Sequence, residues 1–370
     1  MATRRAFLQS SLMFGTCAVG GSGAPGRALE DERTAAKNRR DIADKMTHVY
    51  KGSPPDHCVC DQALRRLPDG SWAIIFMTGG DHEPRKANYI ALCRSKDQGK
   101  TWGKKQTVLR LKDRACLLSE VIVHGDEIQI MAVTHGGYFE DWRNVVLTSK
   151  DNGKTWGNPV PFAPLPRRTF VRNLYLSTWG EWILPYQSYD TAPDPAVSPL
   201  KDGSHRRARN GVLISRDVGK TWTRSAEIGP IAGWAENNVV ELRDGRLVML
   251  IRADGQGCLL RSVSTDRGRT WTPPKRSNIP NPGSKFRLHR LSTGRIVLIH
   301  NANATCGVRN PLAMWASDDD MASWFYKRVL VDFPGQLQYP DGFIDEQTGY
   351  VHFAFDYNRH DLIYVGAKLP

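Results

Sequence analysis

Serine, aspartate and threonine recur together along this chain at fixed spacing, and that set of oxygens invites a search for cation chemistry. The pattern is Ser-x-Asp-x-Gly-x-Thr-Trp, whole at residues 95–102 (SKDQGKTW), 149–156 (SKDNGKTW), 215–222 (SRDVGKTW) and 264–271 (STDRGRTW). A fifth copy, residues 317–324 (SDDDMASW), carries Met321 where the others have Gly. A calcium loop needs several oxygen ligands at alternating positions, and one Asp per copy beside Lys and Trp does not supply them. Turn chemistry accounts for the pattern instead: Asp accepts hydrogen bonds from the backbone N–H groups of its own turn, and Gly supplies a positive φ at little steric cost. Neither a metal nor a cofactor is expected. The seven Cys contain no C-x-x-C pair and no His-Cys cluster at zinc spacing. Those beyond residue 28 are read as mostly buried strand residues.

Other reactive side chains are scattered. His57, His82 and His135 fall near strand ends, as do Arg167, Arg168 and Arg172. Tyr186 and Tyr189 precede an irregular stretch, residues 190–209, rich in Pro, Asp, Arg and Lys, which reads as a loop overhanging one face. Arg287 and His289 alternate with apolar neighbours, which turns them toward a common interior.

The elements that position these groups follow from the spacing. The motif serines lie 54, 66, 49 and 53 residues apart, a period that marks a repeated supersecondary unit. Each copy follows a short apolar strand, as at residues 90–93, 145–148 and 212–214, so each is a hairpin turn. Further strands, such as residues 72–77, 127–134 and 246–252, fill the intervals. Four strands per period of about fifty residues is the blade of a β-propeller. Residues 48–370 hold six such periods, predicting an all-β, six-bladed β-propeller as a single domain. The Trp closing each motif is expected in the blade cores.

The N-terminus reads as an address. Arg4 and Arg5 precede Ala-Phe-Leu-Gln and a weakly apolar run over residues 10–23, the pattern of a twin-arginine signal peptide ending near residue 28. That run is too short and polar for a membrane span. Residues 29–47 are charged and helix-prone, a linker or short helix. The chain is therefore expected to be exported to the periplasm, the cell surface or the medium. Net charge is +13 for the whole chain. No basic stripe with interleaved aromatics marks a nucleic-acid surface, so the surplus charge suits an acidic glycan or polysaccharide partner. A monomer is expected.

Repeated turns of this kind at this period resemble the sialidase (neuraminidase) superfamily, over nearly all of the chain beyond residue 48. The resemblance implies a retaining glycosidase in which a Tyr attacks the anomeric carbon, a Glu takes its proton, an Asp serves as acid and base, and three arginines grip the substrate carboxylate. Sialidases depart in this way from the usual paired-carboxylate scheme. The stretch Ala235-Glu236-Asn237-Asn238-Val239-Val240, ahead of an Asp-Gly turn, is similar to the family segment with the catalytic Glu, which makes Glu236 that residue and Arg252 the second arginine. Leu337-Gln338-Tyr339-Pro340-Asp341-Gly342 is similar to the nucleophile segment, implying Tyr339 as nucleophile and Arg309 as third arginine. The family's first arginine, in an Arg-Ile-Pro sequence, has Cys60 in its place here, followed by Asp61 and Gln62. For the acid/base, Asp81 in Thr78-Gly79-Gly80-Asp81-His82-Glu83 is implied, with Glu83 as rival. Arg287, His57 and His82 complete the expected substrate-binding set.

Three functions stand open at this point. The first is an exported hydrolase releasing a terminal acidic sugar, sialic acid or a relative. The second is a polysaccharide lyase or uronic-acid-directed hydrolase, with His57/Tyr339 or His135/Tyr186 as proton-transfer pairs. The third is a carbohydrate-binding propeller without catalysis.

Overall fold

The computed structural model describes residues 44–165, 168–189 and 207–370. The expected signal, most of the linker, Arg167 and most of the 190–209 stretch lie outside these residues. Every element described is a strand. The first blade runs β2 (Val59–Arg66), β3 (Trp72–Thr78), β4 (Tyr89–Ser95) and β5 (Gln106–Leu109). The second runs β6 (Ala115–His124), β7 (Glu127–His135), β8 (Arg143–Ser149) and β9 (Val160–Pro161). The third is built on β10 (Thr169–Val171), β12 (Trp182–Tyr189), β13 (Arg207–Ser215) and β14 (Thr223–Arg224). Two short additions, β11 (Tyr175–Leu176) and β15 (Ile228–Ala232), pair with β12 and β13. The fourth contains β16 (Asn237–Glu241), β17 (Leu247–Ile251), β18 (Cys258–Ser264) and β19 (Lys275–Pro280), and the fifth β20 (Arg287–Arg290), β21 (Ile296–Asn301), β22 (Leu312–Ser317) and β23 (Tyr326–Val331). The sixth takes β24 (Leu337–Asp345), β25 (Tyr350–Tyr357) and β26 (Asp361–Lys368), and its outer strand is β1 (Lys45–Lys51) from the other end of the chain. This is a six-bladed β-propeller, closed by the antiparallel β1–β26 pairing of Thr47 with Tyr364.

The recurring turn joins the third and fourth strands of blades one to five. The sixth blade has no such turn, because its fourth strand comes from the start of the ring. In the first copy Ser95 Oγ donates to Asp97 at 2.8 Å, the Gly99 N–H donates to Ser95 Oγ at 2.8 Å, and Thr101 Oγ1 donates to Asp97 at 2.6 Å. The threonine hydroxyl, its N–H and the serine hydroxyl hold the Asp97 carboxyl down at about 2. The altered fifth copy keeps the same bonds, with Ser323 replacing Thr and the Met321 N–H reaching Ser317 at 2.9 Å. The motif tryptophans differ from expectation. Only Trp271 is buried, at 9% exposure, whereas Trp102, Trp156, Trp222 and Trp324 are half-buried. Each of these four packs one face against a blade core and leaves the rest of its ring at the surface. The indole N–H does not decide burial, since Trp102 and the buried Trp271 both donate to the glycine carbonyl of their own turn, at 3.2 and 3.0 Å.

Among the cysteines, Cys60, Cys93, Cys116 and Cys258 are buried on strands, Cys58 is buried just before β2, and Cys306 is exposed; all six are free thiols. No helix among the described residues is long and apolar enough to cross a membrane.

Side chains tie the six innermost strands together around the axis. Arg65 on β2 bridges Glu120 on β6 at 2.5 Å and Asp341 on β24. Asn173, just past β10, contacts Glu120 through its N–H and donates to Asn238 on β16 at 2.5 Å. Asn238 donates to the Phe286 carbonyl at 3.2 Å, and Arg287 on β20 pairs with Asp341 at 3.2 Å. Charged groups this deep are tolerated because each meets an opposite charge and further hydrogen bonds.

Candidate active site

Antiparallel blades place the turns between second and third strands at one end of the ring and the Ser-Asp-Gly-Thr turns at the other. The candidate site lies at the first of these ends. There a cavity of about 300 Å³ is lined by Cys58, Asp61, His82, Glu83, Pro84, Leu117, Phe139, Phe170, Arg172, Trp234, Glu236, Arg252, Lys285, Arg309, Tyr339 and Arg359. All six blades contribute.

Two β-bulges aim the key side chains. The β2–β3 register shifts between Cys60 and Ala63, and Asp61 there has φ of 51°. The β24–β25 register shifts between Gln338 and Asp341, and Tyr339 has φ of 59°. A positive φ is costly for these residue types and persists only where surrounding structure enforces it; bulges re-aim side chains beside functional sites. Gln62, inside the first bulge, supports the second by donating to the Gln338 carbonyl at 3.2 Å and to the Tyr339 carbonyl.

The Tyr339 hydroxyl accepts from Arg359 Nη2 at 2.9 Å and Arg309 Nη1 at 3.2 Å. Glu236, only 4% exposed, accepts from Arg252 Nη1 at 3.1 and 3.2 Å. Arg252 also donates from Nε to Asp254 at 2.8 Å. Burial works against its charge, but Glu236, Tyr339 and Asp254 outweigh it and hold the guanidinium more firmly protonated. No hydrogen bond joins Glu236 to Tyr339 among the described residues. Glu83 pairs with Arg359 at 2.7 Å and accepts from Cys60 Sγ at 3.4 Å. Lys285 pairs with Asp61, and its Nζ lies 4.0 Å from Glu236. Behind Arg359, burial pushes the Asp356 carboxyl up to about 7 against the pull of Arg359 and Arg309.

The cavity is two-sided. Arg172, Arg252, Arg309, Arg359 and Lys285 crowd one part, which suits an anion. Phe139, Phe170 and Trp234 form an apolar wall, with Phe139 and Trp234 at 5.6 Å. His135 supports that wall: its Nδ1 accepts from the Gly137 N–H at 3.0 Å and the Phe139 N–H at 3.3 Å. Burial, with Arg114 adding to it, lowers the His135 imidazolium to about 4, so the ring is the neutral acceptor those bonds require.

Donor atoms of Cys60, Asp61 and Glu83 lie within 4.8 Å of one another. They do not fit a metal ion. Arg359 already faces Cys60 and Glu83, Lys285 faces Asp61, and burial drives the Cys60 thiol well up, away from the thiolate a metal needs.

Of the residues singled out from sequence, Arg172, Glu236, Arg252, Arg309 and Tyr339 meet in this cavity, and His82 is also in its lining. Asp81 does not line it; its side chain is 76% exposed and pairs with His82 at 2.9 Å. The rival Glu83 does line it. His57 stacks on His360 with ring centres 5.5 Å apart and is not part of the lining. Arg287 belongs to the axial network below, held by Asn173 and Asp341. Tyr186 donates to Glu227 at 2.9 Å, away from the cavity. Neither proton-transfer pair considered for a lyase is assembled there. Sequence reasoning missed Arg359, Lys285 and the lining role of Asp61. One signal was present: Lys285, like Glu236, lies within two residues of the start of the first strand of a blade.

Comparison with known proteins places this geometry. Residues 71–353 match the family model described as a BNR repeat-like domain. Over 305 residues the chain is 28% identical to a sialidase of Clostridium perfringens, covering 74% of this chain and 77% of that one. The solved Hadza microbial sialidase Hz136 is similar with a TM-score of 0.69 at 18% identity, over 85% of this chain and 66% of that one. Trypanosoma rangeli sialidase in complex with 2,3-difluorosialic acid, a covalent intermediate, is similar with a TM-score of 0.65 at 16% identity, over 88% of this chain and 59% of that one. This chain thus spans about three quarters of the clostridial relative and under two thirds of either solved sialidase.

Proposed function

We propose, from the premise that this chain belongs to the BNR repeat-like domain family and with it to the sialidase superfamily, that it is a glycoside hydrolase releasing a terminal acidic sugar from glycans. The sugar is sialic acid or a relative, cleaved with retention. The observation that carries this reading is the Tyr339 hydroxyl held by two guanidiniums in a cavity that also contains Glu236 and Arg252. A substrate carboxylate entering there draws Arg309 and Arg359 off the phenol, because a charge-assisted bond to an anion outcompetes one to a neutral hydroxyl. The phenol is then released to donate to Glu236, a tightening expected only in the complex. Tyr339 attacks the anomeric carbon as Glu236 takes its proton. Glu83, rather than the exposed Asp81, protonates the leaving oxygen and later draws a proton from water. Arg359 stands in for the arginine that Cys60 displaced.

The reading extends to export through residues 1–28, testable by exchanging Arg4 and Arg5 for Lys and locating the protein by fractionation. The enzymatic part is tested with an aryl-sialoside and with 2,3-difluorosialic acid. Wild type is expected to turn over the first and to carry a covalent adduct of the second on Tyr339 by peptide mass spectrometry. Tyr339→Phe is expected to lose at least ~10³-fold in kcat and to show no adduct. Equal turnover by Y339F rules the mechanism out.

A further inference from the structure

The first-blade triplet Cys60-Asp61-Gln62 introduces a carboxylate into the cavity beside Glu236, and something must compensate it. Asp61 and the negative charge that passes from Glu236 to the phenol oxygen during attack would otherwise crowd one poorly solvated space, where like charges oppose one another strongly. Lys285 is placed to do this. It leaves the chain just before β20, is largely buried, and pairs with Asp61. Its Nζ lies 4.0 Å from Glu236 Oε1 and 4.3 Å from the centre of the Tyr339 ring. Arg252 pairs with Glu236, and Arg309 and Arg359 serve the phenol oxygen. Arg172 Nη2 also approaches Asp61, at 3.8 Å. Among the described cations of the cavity, Lys285 is the one that combines contact with Asp61, proximity to Glu236 and a place over the nucleophile's ring.

The geometry assigns Lys285 as a positioning residue of the reaction: its ammonium ties Asp61 to the Glu236–Tyr339 pair, fixes the tyrosine ring, and offsets the negative charge that builds as the phenol gives up its proton. This assignment rests on the retaining hydrolase reading above. Its charge state should then govern the rate. The groups facing it are Asp61 and Cys60 from β2, Glu236 ahead of β16, Tyr339 from β24, Arg309 ahead of β22, Asp356 from β25 and Arg359 from the β25–β26 turn, with Arg172 beyond Asp61. Burial drives the Lys285 ammonium down to about 7, with Cys60 and Asp356 opposing and Arg359 and Arg309 reinforcing. Below that pH the amine is charged; above it the charge, and the compensation, are lost. Activity limited by Lys285 therefore falls on the alkaline side of neutrality, and the limb belongs in kcat/KM because that ratio reports groups of the free enzyme.

The test is the pH profile of aryl-sialoside hydrolysis between pH 5 and 9 for wild type, Lys285→Arg and Lys285→Met. Arginine stays charged throughout, so K285R is expected to move the alkaline limb upward by more than one pH unit. K285M is expected to lose ~10²-fold in kcat/KM at pH 6, with most of the loss in kcat, and to show no limb near neutrality. A structural filler would lower all rates equally and leave the limb where it was. If K285M does not fold, K285R decides the matter alone. A limb in K285R that superimposes on wild type, or K285M within twofold of wild type, overturns the assignment while leaving the hydrolase reading intact. A wild type that turns over no sialoside removes both.

Discussion

Tyr339 shows how a residue acquires chemistry from its surroundings. Its ring is buried, its φ is positive, and its hydroxyl meets two guanidiniums. Glu83 and Asp81 are two positions apart on one loop, yet only Glu83 faces the cavity. Glu83→Gln is therefore expected to lower kcat on poor leaving groups ~10²-fold or more, as for loss of an acid/base catalyst, whereas Asp81→Asn stays within about twofold. Side-by-side kinetics on aryl- and sugar-linked substrates check this, and a larger loss in D81N would reverse the assignment. Arg359→Met removes a charge-assisted grip on the substrate carboxylate, so KM is expected to rise ~10–100-fold. An unchanged KM would mean that Arg359 orders Glu83 and Cys60 without touching substrate. Glu236, Arg252, Arg309 and Tyr339 could be named from sequence because each sits in a recognisable local segment. Arg359 could not, since its partners Cys60 and Tyr339 lie 299 and 20 residues away.

At the scale of the element, the Ser-Asp-Gly-Thr turn is closed by its own side chains. Asp266 accepts from Ser264 Oγ, the Thr270 N–H and Thr270 Oγ1 at 2.8, 2.9 and 2.5 Å. Asp266→Ala is expected to cost about 1–2 kcal/mol in denaturant unfolding, with sialoside kinetics unaffected because the turn lies at the far end from the cavity. The fifth copy sets two effects against each other. Met321 stands at φ of 66°, a conformation Gly would relieve by roughly 1 kcal/mol. Its side chain is buried among Trp315 and its neighbours, and deleting it costs about 2–5 kcal/mol. Burial wins, so Met321→Gly is expected to destabilise by about 1–4 kcal/mol even though it restores the motif. A stabilised M321G would show that backbone strain dominates. The bulges in β2 and β24 are the elements that sequence did not reveal. They show as interruptions of pairing register, and no local residue pattern marked them.

For the whole molecule, the issue is how six blades stay in a ring. β1 completes the last blade across the chain's ends, and the axial charges couple the inner strands. Arg65 lies between Glu120 and Asp341, and removing it leaves the buried Glu120 without its cation and the partly buried Asp341 with Arg287 alone. Arg65→Met is expected to cost about 3–5 kcal/mol, read as a lower denaturation midpoint with a single transition. A change under about 1 kcal/mol would assign ring closure to β1 and the apolar blade contacts alone.

Eight consecutive residues suffice to build the recurring turn, since every hydrogen bond in it spans four positions or fewer. The turn's period carries the blade count, so the propeller is legible in the amino-acid sequence alone. Which charges meet at the centre is not. Arg359 beside Cys60, Lys285 beside Asp61 and Glu83 in place of Asp81 each depend on two bulges and on closure of the ring, and both arise from pairings between residues far apart in the chain. Local hydrogen bonding is written within a short segment; the electrostatics of a cavity exist only once distant strands have taken their register.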